Sequence, residues 1–82
     1  MNKQDIFKII VNHVCEILPE LEQHEFQKED QLVNLGANSI DRAEIVAMTM
    51  ESLSLNIPRV ELASARNIGE LAEIVYEKYT SN

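Results

Sequence analysis

The sequence predicts an all-α fold: a four-helix bundle of three main helices plus a short third helix, with a long loop between helices 1 and 2. Three observations carry this. Apolar residues recur three and four positions apart in three separate stretches, and no stretch alternates apolar and polar residues as a half-buried strand would. Gly and Pro number only two each in 82 residues, so few breakers interrupt the helical runs. Each main run also opens on an Asn with an acid three positions on: Asn2 with Asp5, Asn38 with Asp41, Asn67 with Glu70. An Asn cap pairs with such an acid to satisfy the orphan N–H groups of a helix start.

The first helix is expected from about Lys3 to Leu18. Ile6, Ile10, Val14, Ile17 and Leu21 form its stripe, with Phe7, Val11 and Leu18 beside them, and Pro19 disfavours helix at Leu18. Cys15 lies off the stripe and reads as a small space-filling residue; His13 lies on the flank with no second metal ligand in phase. Residues 20–38 form a long connection, in which Phe26, Leu32 and Leu35 are the expected anchors to the core. His24, among Glu22, Gln23 and Glu25, reads as a solvated side chain.

The second helix is expected from Ser39 to Leu53 or Leu55. Ile45, Val46, Thr49 and Leu53 share one face; Ile40, Ala43, Glu44, Ala47, Met48 and Glu51 lie round the other, with Met50 at the border. That outward side, small and apolar with an acidic fringe of Asp41, Glu44 and Glu51, suits transient docking on other proteins. Periodicity alone also admits a more deeply buried helix. Pro58 opens a short third helix, from Arg59 or Val60 to Ser64, whose Val60, Leu62 and Ala63 are expected to close one end of the bundle. The fourth helix runs from its cap at Asn67 to about Tyr79. Ile68, Leu71, Ala72, Val75 and Tyr79 make its stripe, backed by Ile74, and Thr80, Ser81 and Asn82 are expected to fray.

Composition bounds the function. A chain this short builds one small core, so a single domain over residues 1–82 is expected. Fourteen acids against seven bases, a net charge of −7, exclude a basic nucleic-acid footprint and favour basic protein partners. Cys15 has no internal disulfide partner. The N-terminus lacks the apolar run of a signal peptide, and no segment approaches the roughly 20 apolar residues of a membrane span. A cytoplasmic monomer with no membrane role is the expectation.

Ser39 is the residue of chemical interest. It follows a glycine turn and opens a helix, within Leu35-Gly36-Ala37-Asn38-Ser39-Ile40-Asp41. A nucleophilic serine needs a base and oxyanion donors, whereas the two histidines lie far upstream and no Gly-x-Ser-x-Gly elbow exists. One Cys and two dispersed His do not make a metal site, and Gly36 with no following Lys does not make a phosphate loop. Catalytic residues and metal ligands are therefore not expected. A serine modified by another enzyme needs only an exposed, ordered hydroxyl, and a helix start favours a phosphodiester. Position alone leaves open that Ser39 is simply a helix-opening residue.

The same heptapeptide, followed by Ala43-Glu44-Ile45-Val46 and later by Ile57-Pro58, resembles the acyl carrier protein family over nearly the whole chain. The resemblance implies that Ser39 carries covalent 4′-phosphopantetheine, donated from coenzyme A by a phosphopantetheinyl transferase. The arm's thiol then carries acyl thioesters, so Cys15 is not that thiol. Partner docking is expected on Ile40, Asp41, Ala43, Glu44, Ala47 and Glu51. Fatty-acid carriers usually have Asp-Ser-Leu where this chain has Asn38-Ser39-Ile40, and Arg42 adds a positive charge to a less acidic second helix. The wording is closer to carriers of polyketide synthases. Since the chain starts at Met1 and ends just past the bundle, a free-standing carrier of malonyl or acetyl groups is expected. Its partners would be an acyltransferase, a ketosynthase and β-branching enzymes. The alternatives are a fatty-acid or peptidyl carrier and, in a different class, an unmodified acidic helical adaptor. No cavity for cargo is marked in the sequence.

Overall fold

A computed structural model describes residues 1–81. Its helices are α1 (Lys3–Ile17), α2 (Ser39–Leu53), α3 (Arg59–Leu62) and α4 (Ile68–Ser81), with a 3₁₀ turn at Pro19–Leu21. α1 is the central strut, packed against both α2 and α4. Ile6, Ile10 and Val14 of α1 meet Ile45, Thr49 and Leu53 of α2 and Ile68, Leu71, Ala72 and Val75 of α4 in one aliphatic core. Thr49 is the buried polar member, and its hydroxyl donates to the Ile45 carbonyl at 2.8 Å, so no donor is stranded. Val46, expected inside, is half-buried at the core's edge.

The helix starts follow the Asn-x-x-acid pattern. Asn2 accepts from the Asp5 N–H at 2.9 Å while Asp5 accepts from the Asn2 N–H at 3.0 Å. α1 ends where Pro19 demands: the Leu18 N–H donates to the Val14 carbonyl, and the chain turns into the 3₁₀ turn. At α4 the box is half realised. Asn67 accepts from the Glu70 N–H at 2.8 Å, but the Glu70 carboxylate reaches one residue further back, to the Arg66 N–H at 2.9 Å and the Arg66 guanidinium at 3.2 Å. The backbone N–H and then the guanidinium hold the Glu70 carboxyl below its ordinary range.

The long loop is docked rather than draped. Phe26, Leu32 and Leu35 anchor it to the core as expected. His24 corrects its expectation: it is half-buried, 3.0 Å from the Asp30 carboxylate and edge-on to Phe26, with centroids 4.7 Å apart. Asp30 also accepts from the Gln27 N–H at 2.8 Å. That backbone donor first, and His24 second, hold the Asp30 carboxyl below its ordinary range. The loop's own carbonyls then cap α4: Asp30 accepts from the Ile68 N–H and Lys28 from the Gly69 N–H, both at 2.9 Å. The approach is so close that a Cβ on Gly69 would lie 2.8 Å from the Lys28 Cβ and 3.0 Å from its carbonyl oxygen.

Two further expectations are overturned. α3 is a single turn, and only Leu62 enters the core; Val60 is 79% exposed and Ala63 is exposed as well. One turn of about 3.6 residues cannot direct three near-consecutive side chains inward. A Lys78–Glu61 ion pair at 3.0 Å adds a tie from α4 to this turn. Thr80 and Ser81 are helical rather than frayed, and their hydroxyls donate back to the carbonyls of Tyr76 and Glu77. Asn82 lies outside the described residues.

Candidate functional site

The start of α2 is built by the turn before it. Gly36 adopts a φ of +103°, which side-chain-bearing residues rarely take. The reversal tucks Ala37 into the core, 3% exposed, with its N–H donating to the Leu32 carbonyl at 3.0 Å. The Ala37 carbonyl accepts from Nη1 of Arg42 at 2.7 Å. Arg42 is therefore a strut between the turn and the helix, a role its reading as an added positive charge missed. Asn38 completes the start: it accepts from the Asp41 N–H at 2.8 Å, and Asp41 accepts from the Asn38 N–H at 3.2 Å.

Ser39 is the first residue of this helix and is exposed. Among the described residues its hydroxyl has no hydrogen-bond partner, and the capping box spends the N–H of Asp41 but not those of Ser39 and Ile40. No base serves it. His24 is held by Asp30, and Nε2 of His13 lies 2.9 Å from the Ser52 hydroxyl, bridging α1 to α2. His13, Ser52 and Glu16 form a row, with Nδ1 of His13 3.2 Å from Glu16. That row lacks the orienting bond of a catalytic triad, since the buried Nδ1 makes no well-formed hydrogen bond. Cys15 is half-buried with its thiol 3.8 Å from the Leu21 carbonyl; burial and then Glu22 push it up, which keeps it a protonated, poor nucleophile.

Of the expected docking residues, Ile40, Ala43, Glu44, Ala47 and Glu51 are exposed along α2, and Ile40 is 70% exposed. Asp41 is half-buried with its carboxylate engaged in the cap, and Met48 is half-buried too. Two more large apolar residues are exposed: Val33, three residues before Gly36, which the sequence reading passed over, and Val60 on α3, which it had placed inward. The structure also contains two surface clefts the sequence did not mark. One, of about 720 Å³, lies between the first turns of α1 and α4 and loop residues 26–29. The other, of about 320 Å³, is lined by Arg42, the loop around Leu32 and the start of α4.

The sequence pattern of the phosphopantetheine attachment site matches residues 8–75. The chain belongs to the phosphopantetheine-attachment family of carrier proteins. It is similar to a "Polyketide biosynthesis acyl-carrier-protein AcpK" of Bacillus subtilis (strain 168), 58% identical over 81 residues, 99% of each chain. Its fold matches an acyl carrier protein solved in the "Curacin Biosynthetic Pathway HMG Synthase in Complex with Acetyl Donor-ACP" with a TM-score of 0.90 and 52% identity. That match covers 95% of this chain and 100% of the other. The carrier's cofactor is covalent 4′-phosphopantetheine, and the family is one of non-catalytic carriers rather than enzymes. The residues fit the group: a free serine hydroxyl stands beside two unspent N–H donors at the positive end of a helix. No helix among the described residues is long and apolar enough to cross a membrane.

Proposed function

We propose that Ser39 is the attachment residue and that the chain carries short acyl groups between enzymes of polyketide assembly. The observation that supports this is the free, exposed hydroxyl of Ser39 on a helix start that three local devices hold in place: the Gly36 turn, the Arg42 strut and the Asn38 cap. In the transfer, the Ser39 oxygen forms a bond to the phosphorus of coenzyme A's pantetheine phosphate. The bond to adenosine 3′,5′-bisphosphate breaks, and the hydroxyl proton passes to a base of the phosphopantetheinyl transferase. Nothing in this chain has to act as that base. Once attached, the arm supplies a thiol that holds malonyl or acetyl as a thioester.

Residues 1–82 act as one carrier unit in the cytoplasm on this reading. The apolar contacts for partners come from Ile40, Ala43 and Ala47, and the steering charges from Glu44 and Glu51. Asp41 contributes chiefly by capping the helix that presents them. The similarity to a carrier seen with an HMG synthase supports β-branching enzymes among the partners, beside an acyltransferase and a ketosynthase. Intact mass after incubation with coenzyme A and a transferase tests the assignment. The protein should gain one arm, and Ser39→Ala should gain none while keeping its helical spectrum. An arm on the Ser39→Ala protein, or one mapped to Ser52, Ser54 or Ser64, refutes it.

A further inference from the structure

The smaller cleft has a chemistry unlike the rest of the surface. Leu32, Val33, Ile68 and Leu71 give it an aliphatic lining, and Arg42 and Arg66 are its charged groups. No carboxylate lines it among the described residues, although the chain carries a net charge of −7. Both guanidinium groups are positioned without being used up. Arg42 gives Nη1 to the Ala37 carbonyl, which leaves its other N–H groups. Arg66 gives Nε and Nη2 to Glu70, at 3.4 and 3.2 Å, which leaves Nη1. Arg42 also lies three residues after Ser39 on α2, an axial step of about 4.5 Å to the same side of the helix.

We propose that this cleft receives the terminal carboxylate of a short acyl group, such as malonyl, carried on the Ser39 arm. The proposal rests on the carrier reading above and names the cargo chemistry the carrier itself recognises. A guanidinium fork matches a carboxylate in plane and in charge, and Arg stays charged at every working pH. The aliphatic lining covers the methylene and the distal arm. Small-molecule sites span roughly 300–1,000 Å³, and about 320 Å³ stands at the small end, enough for a short acyl group. The arm is several times longer than a helical turn of about 5.4 Å, so it reaches the cleft by folding back. Acetyl brings no carboxylate, so its thioester stays free on the extended arm for transfer, whereas a carboxylated group is held against the carrier.

The test is to load ¹⁵N-labelled protein with malonyl, acetyl and butyryl arms, confirm each load by intact mass, and compare amide and Arg Nε signals. Malonyl should move the signals of Leu32, Val33, Ile68 and Leu71 and of both arginines. Its docked-to-free ratio should exceed that of acetyl about fivefold, a preference of about 1 kcal/mol. Arg66→Gln and Arg42→Lys should each reduce the malonyl response towards that of acetyl. Arg42→Lys keeps a donor for the Ala37 carbonyl, and unmoved Ile45 and Val75 signals would verify its fold. Equal responses to malonyl and acetyl, a larger response to butyryl, or a malonyl response that survives both substitutions overturns the proposal. A loaded protein with a silent cleft refutes the cleft assignment alone, whereas a protein that accepts no arm at Ser39 refutes the carrier reading and this proposal with it.

Discussion

Replacing Gly69 with Ala sets two physical effects against each other. Ala is the better helix former by about 1 kcal/mol in a helix interior and by less near an end. Gly69 is the second residue of α4, so intrinsic propensity predicts a slightly more stable protein. The packing predicts the reverse. The added methyl would sit 2.8 Å from the Lys28 Cβ and 3.0 Å from the Lys28 carbonyl, and both are close to the backbone rather than the yielding end of a side chain. Overpacking of this kind costs about 1–3 kcal/mol. Relief by moving the loop would stretch the Gly69-to-Lys28 and Ile68-to-Asp30 hydrogen bonds, each contributing about 1 kcal/mol. Packing wins, and Gly69→Ala should destabilise the protein by about 1–3 kcal/mol, the overpacking cost plus weakened bonds less the propensity gain. For a chain of this size that lowers Tm by about 4–8 °C per kcal/mol. Urea and thermal melts followed by far-ultraviolet circular dichroism measure it, and hydrogen exchange at Ile68 and residue 69 should accelerate more than at Val75. An unchanged or raised Tm with those two amides still protected would refute the loop-on-helix packing.

Two further outcomes follow from the charged groups. Asp30 has its folded pKa lowered, so its stabilisation is present above the ordinary carboxylate range and is lost as pH falls through and below it. Asp30→Asn should therefore trail the parent protein in urea midpoint at neutral pH and converge with it on acidification; a gap independent of pH would remove the Asp30 charge from the account. Glu44 is exposed and makes no ion pair among the described residues, so Glu44→Lys should change stability by no more than about 0.5 kcal/mol. The same change should slow arm loading by the transferase, with the difference from the parent shrinking as salt shortens a screening length of about 8 Å at physiological ionic strength. Loading rates indifferent to both charge and salt would count against steering by α2.

What the sequence made legible was local. The Asn2 and Asn38 caps, the α1 stripe and the break at Pro19 depend on residues within one or two turns of each other, and spacing expresses such relations directly. The turn that presents Ser39 was legible for the same reason, because Gly36, the Asn38 cap and Ser39 lie within four residues. The illegible features join distant segments. His24 looked solvated among charged neighbours because its partner Asp30 and its cover Phe26 meet it only once the loop closes. Gly69 drew no reading from the sequence, because the reason for it is Lys28, 41 positions earlier. Arg42 read only as an added positive charge because the orientation of a neighbouring carbonyl is set by the Gly36 turn. Val60 was assigned inward because apolarity gives no sign that a one-turn helix has only one inward position.

The junction of the loop with α4 also constrains anyone who builds hybrids of this carrier. Exchange of residues 19–38 for the equivalent loop of another carrier looks like a self-contained graft, since both cut points flank a helix. It is not, because the transplanted segment must present two carbonyls to the N–H groups of Ile68 and Gly69 and must tolerate, or require, the missing side chain at position 69. The exchangeable unit is thus discontinuous: the loop together with residues 66–70. A library that shuffles the loop alone would mostly sample mismatched halves, and its failures would report on the start of α4 while resembling failures at the start of α2.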